Sequence, residues 1–225
     1  MTELRIAAAG DAALLVEWPA RIDPLVSSRA VALAQAVRAE YAAAVRDVVV
    51  GYCSATVYFD PLQVEARALE DNLRRLESAL PDHTVVEGGL IDVPVCYGGD
   101  LGPDLADVAA FARGTEDDVI ALHSAVTYRV YVVGFIPGFP YMASVDPRLA
   151  LPRRVTPRTS VPAGSVAIAA GQTGIYPSET PGGWHLIGRT HVKPYDDSRA
   201  EPFLFKPGDR VRFQPIDRVE FERSG

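Results

Sequence analysis

Apolar and polar positions change period several times along the chain. Leu4 to Ile6 and Ala13 to Trp18 read as short strands around a Gly10-Asp11 turn. Pro24 to Val45 carries Leu25, Ala32, Leu33, Ala36 and Val37 at helical spacing, with Ser27 or Ser28 available as a cap. Val48 to Phe59 is β-branched and aromatic, with Gly51 inside it, and predicts one or two strands closed by Asp60-Pro61. Val64 to Leu80 puts Leu69, Leu73, Leu76 and Leu80 on one stripe just ahead of Pro81, a second amphipathic helix. Strands, helix, strands and helix predict a small α+β layer of ferredoxin-like type over residues 1–86, with its boundary between Asp82 and Gly89.

The pattern then shifts. A strand over Leu90 to Cys96 and a turn at Tyr97-Gly98-Gly99-Asp100 lead into two short helices, Asp104 to Arg113 and Glu116 to Ser124. Asp104 is positioned to cap the first, and Thr115 followed by Glu116, Asp117 and Asp118 puts acid at the positive end of the second. Beyond Tyr128 the signals are strand and turn: Tyr128 to Phe135, Val166 to Ala170, Trp184 to Thr190, Phe203 to Phe205 and Arg210 to Pro215, with a Lys206-Pro207-Gly208-Asp209 turn before the last. Short strands at this spacing predict a closed β-barrel over residues 87–225.

Composition sharpens this picture. Of the 18 prolines among 225 residues, 12 lie between Tyr131 and Pro215, which excludes a helical second half. With 22 basic residues against 29 acidic ones the net charge is −7, so no overall field draws nucleic acid or an anionic membrane. Cys53 and Cys96 stand alone and read as thiols in a reducing compartment. The first apolar run is broken by Asp11 and lacks a basic flank, so it is neither a secretory leader nor a membrane span; a cytoplasmic protein is expected. Only Lys193 and Lys206 among the basic residues are lysine, which leaves little amine chemistry.

No GxxxxGK[ST], GxSxG, HExxH or GxGxxG pattern occurs, and no metal-ligand cluster is predicted. Three stretches carry the chemistry instead. Gly134 to Tyr141 (GFIPGFPY) fixes its own path through glycine and proline, and holds Phe135, Pro137, Phe139 and Tyr141 as the wall of a pocket or as a buried barrel corner. The stretch around Arg148 to Arg158 gathers four arginines with one acid, Asp146; Arg153, Arg154 and Arg158 are candidates for a carboxylate or phosphate, against the alternative of a solvated loop or ion pairs. Third, strands alternate with glycine turns through Gly171-Gln172-Thr173-Gly174, Tyr176, Trp184 and Arg189. If these turns share a barrel mouth, they form a rim of amide, hydroxyl, indole and guanidinium groups. The 171–174 turn either opens its amides to an anion or is a tight turn between strands. Of the four histidines, His123 precedes the strand leading into GFIPGFPY and is the candidate acid/base at that mouth, with Gln172 beside it.

GFIPGFPYM, PRRVTPRTSVPAGSVAIAAGQTGIYPSETPGGWHLIGRT and PGDRVRFQPI resemble, in order and spacing over roughly residues 116–216, the family described as kinase-inhibitor KipI or allophanate hydrolase subunit 1, which includes the B component of 5-oxoprolinase. The resemblance implies an α+β domain followed by a cyclophilin-like β-barrel. It also implies a subunit of an ATP-dependent enzyme that opens 5-oxo-L-proline to L-glutamate, working with a companion cyclophilin-like subunit (the C component) and with a third subunit (the A component). ATP would bind here or on a partner, the substrate is a small carboxylate, and turnover by the single chain is not expected. In that setting Arg153, Arg154, Arg158, Arg189 and Tyr176 suit the substrate or its anion, Gln172 and the Gly171, Thr173 and Gly174 amides suit a developing oxyanion, and Phe135, Pro137, Phe139, Tyr141 and Trp184 suit a dry wall. The family also leaves open inhibition of a sensor histidine kinase, action on allophanate, and, from the fold alone, prolyl isomerisation.

Overall fold

The computed structural model describes residues 4–81 and 87–225, and its contacts divide the chain into two units, Met1–Glu87 and Gly88–Gly225. The expected boundary falls partly on residues 82–86, outside the described residues.

Unit 1 runs β1 (Arg5–Ala8), β2 (Ala13–Glu17), α1 (Pro24–Glu40), β3 (Val45–Val50), β4 (Ser54–Phe59) and α2 (Ala66–Ser78), with an antiparallel sheet in the order β1-β2-β4-β3. Two hairpins, each followed by a helix, differ from the expected ferredoxin-like chain order of strand-helix-strand-strand-helix-strand. The sheet order is the one that results when that chain is cut after its first helix and its ends are joined. One core joins Val16, Val57 and Phe59 of the sheet to Leu33 and Val37 of α1 and Leu69 and Leu73 of α2. Helix α1 is shorter than its alanine-rich pattern predicts, because Val45 already belongs to β3. Its start is capped by Asp23, which accepts from the Leu25 amide at 2.8 Å, whereas Ser27 and Ser28 are buried within it.

Unit 2 begins with β5 (Leu90–Tyr97), α3 (Leu105–Ala112), α4 (Glu116–Ser124), β6 (Thr127–Val133) and β7 (Pro140–Ala143). It continues through β8 (Arg158–Val161), β9 (Ser165–Ala169), β10 (Gln172–Ile175), β11 (Thr180–Gly182), β12 (His185–Arg189), β13 (Arg210–Ile216) and α5 (Arg218–Arg223). Seven strands close a barrel in the order β10-β7-β6-β13-β5-β12-β9, and β8 and β11 form a separate ribbon. Only the β5–β13 pair among these is parallel. Strand alternation fills the interior with Val93 and Val95, Tyr128 and Val130, Val166 and Ile168, and Val211 and Phe213; Leu105 and Val108 of α3 and Val119 of α4 join the same core. Helix α4 starts with a full capping box between Thr115 and Asp118. The expected strand at Phe203 to Phe205 reduces to one bridge between Tyr195 and Phe203.

Candidate functional site

The strand alternation that fills the barrel also builds a site on its outer wall. On β9, Val166 and Ile168 point inward, while Ala167 and Ala169 join an outer cluster with Phe139, Val161, Tyr176, Trp184 and Leu186. On β10, Thr173 and Ile175 face inward and Gly174 outward, where a Cβ would come within 2.7 Å of the Phe139 ring. Small residues on this wall thus let large rings pack closely against it. Phe139 is the hub: its ring centroid is 4.8 Å from Tyr141, 5.1 Å from Tyr176 and 5.4 Å from Trp184, all at steep angles.

GFIPGFPY shapes this cluster as a turn. The Phe139 amide bonds to the Ile136 carbonyl, and Gly138 takes φ 87° behind Pro137, the geometry of a type II turn. A Cβ on Gly138 would lie 2.6 Å from that of Tyr195, so only glycine fits. Phe135 adopts φ 69°, a left-handed backbone that costs a non-glycine residue about 1–3 kcal/mol, and it stays 64% exposed at the edge of the cluster.

The rings surround a pocket of about 70 Å³. Phe135, Phe139, Tyr141, Tyr176 and Trp184 form its walls, Gly182 and Gly183 of the β11 end leave one side open, and Arg153 stands at its rim. A Cβ at Gly182 would meet the Tyr176 hydroxyl at 2.4 Å. That hydroxyl accepts from the Trp184 amide; burial raises its pKa, with the amide opposing. Pro137 lies in the exposed turn and does not line the pocket.

The arginine cluster separates into different roles. Arg148 pairs with Asp146, and Arg154 and Arg158 both pair with Asp104. Asp104 is almost fully buried, and although it stands at the cap position of α3 its side chain makes no cap bond. Its carboxylate accepts both nitrogens of the Arg158 fork at 2.8 Å, Arg154 Nη1 at 2.8 Å and the Leu186 amide at 2.7 Å. Burial pushes the Asp104 carboxyl up, but Arg158, the Leu186 amide and Arg154 outweigh it and hold the group below the ordinary carboxylate range. The expectation that three arginines face an anion is therefore corrected: Arg154 and Arg158 are saturated by one acid. Among the described residues Arg153 pairs with no acid, and its charge instead bears on Tyr141 and Tyr176.

His123 does not reach these rings. It is fully buried inside the barrel, stacked on Phe213 at 4.5 Å between centroids, with Nδ1 2.7 Å from the Tyr97 hydroxyl and Nε2 2.9 Å from Thr173 Oγ1. Thr173 spends its proton on the Ala167 carbonyl at 3.1 Å, so it accepts from the ring. The imidazole is thereby the neutral tautomer with the proton on Nε2, and burial lowers its pKa to about 3. Both ring nitrogens are engaged in holding the barrel wall, which removes His123 from the mouth expected of it.

Gly171-Gln-Thr-Gly174 is not an anion cradle. The turn is Ala170-Gly171, both at positive φ (49° and 81°), and Gln172 to Ile175 is strand, in register with Ala169 to Val166. Gln172 shares the outer face with Gly174, two positions along, but does not line the pocket. Arg189 sits at the far end of β12, in register with Cys96, where its charge acts on Asp100. Tyr176 and Trp184 do come together as expected, on the outer wall and not at a barrel mouth. Asp104 and the Gly182-Gly183 gap are the features that sequence reasoning missed. The available signal was weak: the arginine cluster carries a single acid of its own, and Asp104 is one of three nearby acids (Asp100, Asp104 and Asp107) fifty residues earlier.

Together these units define a class: an α+β layer joined to a seven-stranded barrel with an aromatic site outside its wall. The family model described as carboxyltransferase domain, subdomain C and D, matches residues 4–205. The chain is 45% identical over 167 residues to the 5-oxoprolinase subunit designated B of Haemophilus influenzae (74% of this chain, 78% of that protein). It is 33% identical over 226 residues to its counterpart of the same designation in Bacillus subtilis (94% and 92%). The match to the corresponding 5-oxoprolinase subunit of Escherichia coli O157:H7 is 54% over 129 residues, covering 57% of this chain and 59% of that one. The crystal structure of TTHA0988 superposes with a TM-score of 0.80 at 38% identity over 92% of this chain, which spans only 40% of that longer chain. The chain belongs to the carboxyltransferase subdomain C and D family and, within it, to the family of 5-oxoprolinase B components. No helix among the described residues is long and apolar enough to cross a membrane.

Proposed function

We propose that the chain is a subunit of an ATP-dependent 5-oxoprolinase, and that its aromatic pocket takes 5-oxo-L-proline. The observation that carries this reading is Arg153, a guanidinium without an acid partner among the described residues, at the rim of a pocket walled by five aromatic rings. A small flat ring bearing a carboxylate matches that arrangement: the ring lies against aromatic faces and the carboxylate meets the planar fork. The names of the relatives support the substrate.

The lactam carbonyl resists water because amide resonance makes it a poor electrophile. Transfer of a phosphoryl group from ATP to its oxygen, with ADP leaving, activates the carbon. One water then adds, and the C–N bond breaks so that the ring opens with the nitrogen leaving as the amine. A second water hydrolyses the resulting acyl phosphate to glutamate and phosphate. One 5-oxoproline, one ATP and two waters give glutamate, ADP and phosphate. In this reading the chain's own residues hold and orient the ring and shield it from bulk water. ATP is assigned to a companion protein, since the sequence has no phosphate-loop pattern and Gln172 to Ile175 lie in a strand ladder. A second barrel protein and a third component complete the enzyme. That TTHA0988 carries this module within a chain of more than twice the length supports its working beside further protein.

Co-expression with the companion components and an ADP-release assay tests the reading. ADP release stimulated by 5-oxoproline, and not by allophanate, in the assembled set but not in the isolated chain is expected. Stimulation by allophanate alone, or substantial turnover by the isolated chain, overturns it.

A further inference from the structure

Arg153 stands between two residues whose backbones are both fastened to the start of β12. The Pro152 carbonyl accepts from His185 Nε2 at 3.0 Å, and the Arg154 amide donates to the Gly183 carbonyl at 2.8 Å. Arg154's side chain is then drawn away from the pocket to Asp104, and Arg158 is drawn to the same carboxylate. Asp104 is itself locked to β12, through its amide to the Leu186 carbonyl at 2.9 Å and its carboxylate to the Leu186 amide. The chain just before it passes so close to β12 that a Cβ on Gly102 would lie 2.1 Å from the Ile187 carbonyl oxygen. One buried acid therefore ties the α3 end, the β12 start and the arginine loop into a single knot.

We infer that Asp104, which lies outside the pocket, is a positioning residue: it clamps Arg154 and Arg158 so that Arg153 alone is presented to the substrate carboxylate. This rests on the reading of the pocket as the 5-oxoproline site. It assigns the carboxylate selectivity of that site to an acid, which charge alone would place there least.

The test is calorimetric titration of the full chain with 5-oxo-L-proline and with 2-pyrrolidinone, the same ring without the carboxylate. The parent chain is expected to bind 5-oxoproline at least tenfold more tightly. Asp104→Asn is expected to lose most of that preference while its affinity for 2-pyrrolidinone stays within about twofold, a split that general loosening of the fold would not produce. Arg158→Lys breaks the two-point fork on Asp104 while keeping the charge; it keeps the question answerable if Asp104→Asn fails to fold, and is expected to lose a smaller part of the preference. A parent chain without preference for the carboxylate overturns the pocket reading and this inference with it. A parent chain with the preference, retained in full by Asp104→Asn or, where that variant does not fold, by Arg158→Lys, overturns the positioning role alone.

Discussion

His123 Nε2 lies 2.9 Å from Thr173 Oγ1, and through that bond helix α4 is tied to the inner side of the strand whose outer side carries the aromatic site. Gly174, the next residue along, supports Phe139 from outside. The histidine and the rings are thus back to back across one strand, and the histidine's part is to hold the wall.

The first prediction concerns pH. The unfolded chain takes a proton on His123 below its ordinary pKa of 6.5, whereas the folded ring refuses it down to about 3. Within that window the unfolded state binds more protons, so stability falls on acidification, by about 1.4 kcal/mol per pH unit from this group. Urea unfolding at pH 7, 5.5 and 4.5 is expected to show the slope, and His123→Gln, which has no proton to gain, is expected to flatten it while lowering stability at pH 7. An unchanged slope in the variant would mean the ring titrates freely.

Gly174→Ala tests the wall from outside. The added methyl would lie 2.7 Å from Phe139 Cζ and 2.9 Å from the Pro140 carbonyl, and backbone cannot yield as a side-chain end does. A loss of about 1–3 kcal/mol is expected, read as a lower Tm with a shifted Trp184 emission. Full stability would show that Phe139 is not packed as described.

At the other side of the pocket, Gly182→Ala pushes on the Tyr176 hydroxyl. Because β11 belongs to a two-stranded ribbon outside the barrel, the expected result is weaker 5-oxoproline binding, about tenfold, with little change in Tm. Unchanged affinity would place the ligand elsewhere.

How much of this was legible beforehand follows from what each segment depends on. Helix α2 and strands β5 and β13 follow from local period, because a leucine stripe or a β-branched alternation needs no distant partner to be read. β7, β8, β10 and β11 do not: Gln172-Thr-Gly-Ile175 and Thr180-Pro-Gly182 are poor strand formers that become strands only because neighbours supply the ladder. Rings, arginines and glycines were recognisable as types. Which way they point was not, since facing inward or outward depends on register, and the turn at Ala170-Gly171 sets Thr173 to the interior. Arg153 and Arg154 are adjacent and chemically identical in the sequence. They are told apart only by Asp104, which reaches Arg154, and not Arg153, from fifty residues away.

The central claim is that Arg153 holds the substrate carboxylate. Steady-state kinetics of the assembled enzyme with Arg153→Ala test it most directly, at saturating ATP and varied 5-oxoproline. A KM for 5-oxoproline raised about tenfold or more is predicted, as loss of a charge-assisted pair of about 1.5–3 kcal/mol requires, with kcat changed far less. An unchanged KM would contradict the account.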